Sequence, residues 1–168
     1  MITKFKTLLV VKSSLISLYL ALTVPIPFIA SEELKIFSMI TFVSGIFLIV
    51  NITNDYVNTC DKKVSYKTSF ISKILGKKNW EIMWNDIKSI KSSATSQGSK
   101  VYYFITHNNE SYLVPQRIEN FEGFVSIVKN KTKLKINGLT YISPLWTYKL
   151  LTLLSSLMII GEIIALTI

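Results

Sequence analysis

Long uncharged apolar runs flank a polar middle in this chain. Ser13 to Ala30, 18 residues, carries no charge, and neither does Ile36 to Ile52. A third run, Leu150 to Ile168, is broken only by Glu162. Eighteen residues make about 27 Å of α-helix, close to the hydrocarbon thickness of a bilayer. Pro25 and Pro27 predict a kink or stop near the far end of the first run. The pattern predicts an N-terminal transmembrane hairpin over 1–53, a polar domain over 54–136, a linker over 137–147 and a transmembrane helix over 148–168. A cleaved signal peptide fits the first run less well. Lys12 interrupts its approach, Phe28 spoils the small-residue pattern before Ala30, and a second apolar run follows at once.

Inside the polar block the period changes. Val64, Tyr66, Thr68 and Phe70 alternate with polar residues, which predicts a half-buried strand. Lys73 to Lys78, with Gly76, reads as a turn. Trp80, Ile82 and Trp84 alternate in a second strand. Ile87 and Ile90 lead into a third, which the soft run Ser92 to Ser99 ends. Val101 to Thr106 and Ser111 to Val114 form a hairpin around His107 to Glu110, where asparagine tolerates positive φ. Phe121, Phe124, Val125 and Val128 fall at helical spacing, predicting an amphipathic helix over Ile118 to Lys131. The expected core is Trp84, Ile87, Ile90, Phe104, Phe121 and Phe124. In the apolar runs, Ser44 and Gly45 are candidate close-packing positions between helices.

Charge adds an orientation. The net charge is +9, and between Asn54 and Thr147 there are 14 Lys/Arg against 7 Asp/Glu. Lys4, Lys6 and Lys12 precede the first run, whereas Glu32 and Glu33 lie between the first two. By the positive-inside bias, the N-terminus and the domain are expected on the cytoplasmic side of a plasma or thylakoid membrane. Nucleic acid is not an expected partner, because no zinc-ligand set or Arg-rich tract accompanies the lysines and Arg117 is the only arginine. The single cysteine, Cys60, excludes an intramolecular disulfide and suits a reducing compartment.

The residues that carry chemistry are sparse. One His, in a predicted turn, and one Cys leave no catalytic or metal-ligand set to assemble, so neither an enzymatic activity nor a cofactor is expected. Asp86 reads as a cap or turn former. Asn51, Asn109 and Asn130 begin N-x-S/T triplets, read as chance in a cytoplasm-facing chain. Lys73, Lys77 and Lys78 are candidates for binding anionic lipid or a partner. Glu162, the acid within a span, needs a partner, water or a proton. Lys35 opens the second helix at a comparable depth, so a Lys35–Glu162 pair is the expectation, with Glu162 reaching alone to the interface as the alternative.

Trp84, Asp86, Ile87 and Ile90, followed by Asn120, Phe121 and Phe124 and then Lys131 to Leu134, resemble the bacterial pleckstrin-homology-like domains of small membrane proteins. The resemblance covers roughly residues 55–136 and implies a β-barrel or split barrel closed by one helix. The fold class is thus membrane α plus small β. Two membrane helices before such a domain, with Asp86 to Ile90 and Pro115 to Arg117, are also similar to the photosystem I assembly factors of cyanobacteria and chloroplasts. The third span departs from that pattern. Neither family implies a catalytic residue. Together they imply a non-catalytic scaffold or assembly factor with membrane lipids and a protein partner, possibilities against which anionic-lipid sensing stands as the alternative.

Overall fold

The computed structural model describes residues 2–134 and 138–167. They form two units, one of residues 1–8 and 54–144, the other of residues 9–53 and 145–168.

The first unit begins with β1 (Thr3–Lys6), before the first apolar run. Its neighbour is β2 (Tyr56–Thr59), antiparallel and in the register Thr3↔Thr59 to Lys6↔Tyr56. Then come β3 (Lys63–Lys67), α4 (Phe70–Ile74) and β4 (Trp80–Met83), completing a four-stranded sheet in the order β1-β2-β3-β4. Labels α1 to α3 belong to the helices between β1 and β2. A 3-10 turn, Trp84–Asp86, leads into β5 (Ile87–Ala94). With β6 (Lys100–Thr106) and β7 (Ser111–Leu113) it makes a three-stranded antiparallel sheet. Among the described residues the strands form these two sheets, and the expected closed barrel is not found. The last helix of the unit is α5 (Phe121–Thr132), where the Asn120 side chain accepts from the Gly123 amide.

One core lies under α5. Phe104, Phe121 and Phe124 are fully buried, Trp84 and Ile87 nearly so, and Ile90 packs at its margin. Trp84 buries its indole and still satisfies it, donating from Nε1 to the Cys60 carbonyl at 2.8 Å. Phe5, from before the first apolar run, joins this core, an addition to the expected residues. It is 5 % exposed and meets Phe124 edge-to-face at 5.6 Å. On its other side the N-terminal strand is held by residues preceding α5. Leu8 N donates to Arg117 O, Glu119 N donates to Lys6 O, and Thr7 bridges to Ile118.

Three assignments change as a result. Residues before the first span are a strand of the domain, rather than only a charged flank of the hairpin. Phe70, expected on the buried face of a strand, is 74 % exposed, because β3 stops at Lys67 and Ser69 caps a short helix by accepting from Ser72 N. Much of the expected 137–147 linker packs back. Tyr102 donates to the Gly138 carbonyl at 2.8 Å, Gln116 donates to the Thr140 carbonyl at 2.8 Å, and Tyr141 packs its ring against Phe121 at a tilt, 5.3 Å between centroids. Lys135 and the expected 136/137 boundary lie outside the described residues.

The second unit is helical: α1 (Leu9–Thr23), α2 (Pro25–Ile29), α3 (Glu32–Ile52) and α6 (Leu145–Thr167). Among the described residues three helices are long and apolar enough to cross a membrane: Leu9–Ile29, Glu32–Ile52 and Leu145–Thr167. The prolines interrupt the first at Val24, as expected. Helix α6 packs along α1, on which Val11, Ser14 and Ala21 are buried; Ser155 is the buried residue of α6. Small side chains let two backbones approach closely in an apolar medium. Gly45 has the same use: a Cβ there would come 2.1 Å from the Tyr19 hydroxyl, which donates to the Phe42 carbonyl at 3.0 Å.

The strand pairing fixes one element of topology. β1 precedes α1 and β2 follows α3, yet they are neighbours in one sheet. A membrane crossed by Leu9–Ile29 and crossed back by Glu32–Ile52 therefore has both strands on the same face. The helical hairpin is an insertion between two adjacent strands.

Candidate functional site

The best-built polar feature of the domain is Asp55, two residues beyond the Thr53 that ends α3. Its carboxylate is 6 % exposed and accepts three hydrogen bonds. Lys77 Nζ donates to Oδ2 at 2.7 Å, the Tyr66 hydroxyl to Oδ2 at 2.8 Å and the Ser69 amide to Oδ1 at 3.0 Å. Its carbonyl accepts from Thr7 Oγ1 at 2.9 Å. Burial pushes the carboxyl up, but the hydrogen bonds from Lys77, Ser69 and Tyr66 and the lysine's charge outweigh it, so its pKa lies below the ordinary value. Burial and the bond to Asp55 together push the Tyr66 hydroxyl well up. An ionised carboxylate surrounded by donors is a clamp, poorly suited to take a proton from a substrate.

What Asp55 clamps is the segment 68–79. Asn79 Oδ1 accepts from both the amide and the hydroxyl of Thr68, at 2.7 and 2.9 Å, closing the base of the loop. Within it, Leu75 N donates to Ile71 O, Gly76 N to Lys73 O and Lys77 N to Ser72 O. Gly76 takes φ +87°, a conformation that ends the helix and disfavours any side chain. The loop is thus firmly tied at its base. Phe70 is 74 %, Ile74 69 % and Leu75 64 % exposed, so it presents three large apolar side chains to its surroundings.

The candidate lysines divide. Lys73, in the last turn of α4, and Lys78, just past the loop's glycine, are exposed. Lys77 is committed to Asp55, so its charge is partly neutralised where the sequence alone counted it as free. The expected Lys35–Glu162 pair does not form. Lys35 Nζ meets Glu32 Oε1 at 3.1 Å instead, one turn earlier on its own helix, and α6 packs along α1. Glu162 Oε2 is buried with no hydrogen-bond partner among the described residues. His107 lies in the β6–β7 turn, its amide bonded to the Asp86 carbonyl, and Asn109 there has φ 61°. Among the described residues no three His, Cys, Asp or Glu side chains gather as a metal site.

Asp55 and the loop it holds carry little signal in the sequence. An isolated acid just after a span looks like a boundary residue, and its partners lie 11, 14 and 22 positions away. The one local signal was Ser69 three residues before Ser72, a helix N-cap spacing.

No family model matches the chain. It is similar to an uncharacterized protein of the cyanobacterium Synechocystis sp. (strain ATCC 27184 / PCC 6803 / Kazusa), 28% identical over 155 residues that cover 88% of this chain and 77% of the relative.

Proposed function

We propose that the protein is a non-catalytic membrane protein whose small domain is a platform for a protein partner, assisting the assembly or stability of a membrane complex. The observation that carries this reading is the pairing of β1 with β2. Only Thr7 and Leu8 separate β1 from α1, and only Thr53, Asn54 and Asp55 separate α3 from β2. Two such short connections tie the domain covalently to its helices, where a recruitment module would hang from a flexible linker. Affinity of its lysines for lipid is then not needed to bring it to the membrane.

The charge asymmetry supports a platform on the cytoplasmic side, or its equivalent in a thylakoid. Four strands, three strands and a closing helix suit the split-barrel form of the pleckstrin-homology-like resemblance. The cyanobacterial relative is consistent with a photosynthetic setting. Anionic-lipid sensing by Lys73, Lys77 and Lys78 is the weaker reading, because Lys77 is already held by Asp55.

The test is purification of the tagged full-length protein from its native membrane after cross-linking in place. The platform reading expects the same integral membrane protein in near-equal amount, with reciprocal recovery when that protein is tagged. Recovery of the chain alone, or of a companion that does not bring this chain down in return, would contradict it.

A further inference from the structure

The apolar face of the α4 loop lies beside charge of one sign. Phe70 and Ile74 are four residues apart and so share one side of the short helix, and Leu75 follows directly. All three are more than 60 % exposed. Lys73 and Lys78 are exposed in the same segment, while the lysine between them is turned to Asp55. Large apolar side chains ringed by lysines, on a loop clamped at both ends, are the composition of a surface that enters the boundary between headgroups and acyl chains.

The covalent chain supplies the occupant. Asp55 follows the C-cap residue of α3 by two positions, a reach of about 8 Å at 3.8 Å per residue. The same carboxylate accepts from Ser69 at the start of the loop and Lys77 near its end. The loop is therefore fastened to a residue that cannot leave the neighbourhood where an apolar helix ends.

We propose that the α4 loop is an interfacial foot. Phe70, Ile74 and Leu75 dip into the headgroup layer of the membrane that the protein's own helices cross, and Lys73 and Lys78 meet anionic headgroups there. This rests on reading those helices as spans, and is independent of which protein the platform serves. The foot sets the tilt of the domain on the bilayer; the clamp at Asp55 transmits that tilt to the β1–β2 sheet through Thr7 and Tyr66.

The full-length protein, with Cys60→Ser and either Ile74→Cys or Ser96→Cys, is labelled with an environment-sensitive fluorophore and reconstituted into vesicles. Both positions are exposed, so neither substitution disturbs the core. Vesicles of phosphatidylcholine with phosphatidylglycerol, containing a nitroxide-labelled lipid, are compared with phosphatidylcholine alone. The foot requires blue-shifted emission and several-fold stronger lipid quenching at position 74 than at 96. It also requires that Lys73→Gln with Lys78→Gln reduce quenching in the anionic vesicles and leave it little changed in the neutral ones. Equal access of aqueous iodide to positions 74 and 96 overturns the proposal. So does shielding of position 74 in native membranes but not in vesicles, which would mean that a protein covers the loop. Failure of the platform reading leaves these results unaffected.

Discussion

Asp55 and Lys77 meet at 2.7 Å, Oδ2 to Nζ, across a loop whose helix exposes Phe70 and Ile74. The lysine half of the pair is 46 % exposed and the aspartate half 6 %. Such a pair depends on its buried member, which also serves Tyr66 and Ser69.

Its pH dependence follows from the lowered pKa of Asp55. A carboxyl bound more weakly to its proton in the folded state than in the unfolded one adds stability above its unfolded pKa, about 3.9. That contribution disappears as pH falls through the folded value. Asp55→Asn should cost about 1.5–3 kcal/mol at neutral pH, the worth of hydrogen bonds to a charged group. The deficit against the unmodified protein should shrink as pH is lowered towards about 3. Thermal unfolding in detergent, followed by tryptophan fluorescence, measures both; a deficit that grows on acidification would show that the clamp is not ionised.

Phe121→Ala should destabilise the domain by about 3–5 kcal/mol, as for a large buried aromatic ring. Phe121 is 1 % exposed, against Phe124 and Tyr141. Denaturant titration of the same fluorescence should show it, and an unchanged midpoint would refute the packing of α5 over the sheets.

Glu162 has a buried oxygen with no partner among the described residues, and a buried polar atom without a partner costs about 1–3 kcal/mol. Glu162→Leu is expected to leave the detergent-extracted protein as stable as before or more so. A marked loss of thermal stability would reveal a partner that the isolated chain does not provide.

The orientation is tested with single cysteines at Ser31 and Ser96 in a Cys60→Ser background. An impermeant thiol reagent applied from outside should label position 31 and spare position 96. The reverse pattern would overturn the cytoplasmic assignment of the domain.

Much of this was legible in the sequence because it is periodic or long. Three apolar helices, the β6–β7 hairpin with Asn109 at positive φ, and the Phe121–Phe124 face of α5 all announce themselves by spacing. What was hidden is non-local. Thr3 to Thr7 does alternate, but one apolar residue, Phe5, is too little to mark a strand when its partner lies some fifty residues away. Alternation through Phe70 pointed to a longer strand, and the Ser69 cap redirected the chain. Lys35 followed charge and depth to Glu162, while the nearer Glu32 took it.

The central claim is that strands on either side of the helical hairpin form one sheet. Cysteines replacing Lys4 and Asn58, cross-strand partners in β1 and β2, test it directly in the full-length Cys60→Ser protein. A second pair, at Lys63 and Met83 of β3 and β4, reports whether oxidation works in the same membranes. Both pairs are predicted to form intramolecular disulfides under mild oxidation, seen as a mobility change that reductant reverses. Cross-linking of 63 with 83 but not of 4 with 58 would contradict the account, since the N-terminal segment would then be no part of the domain.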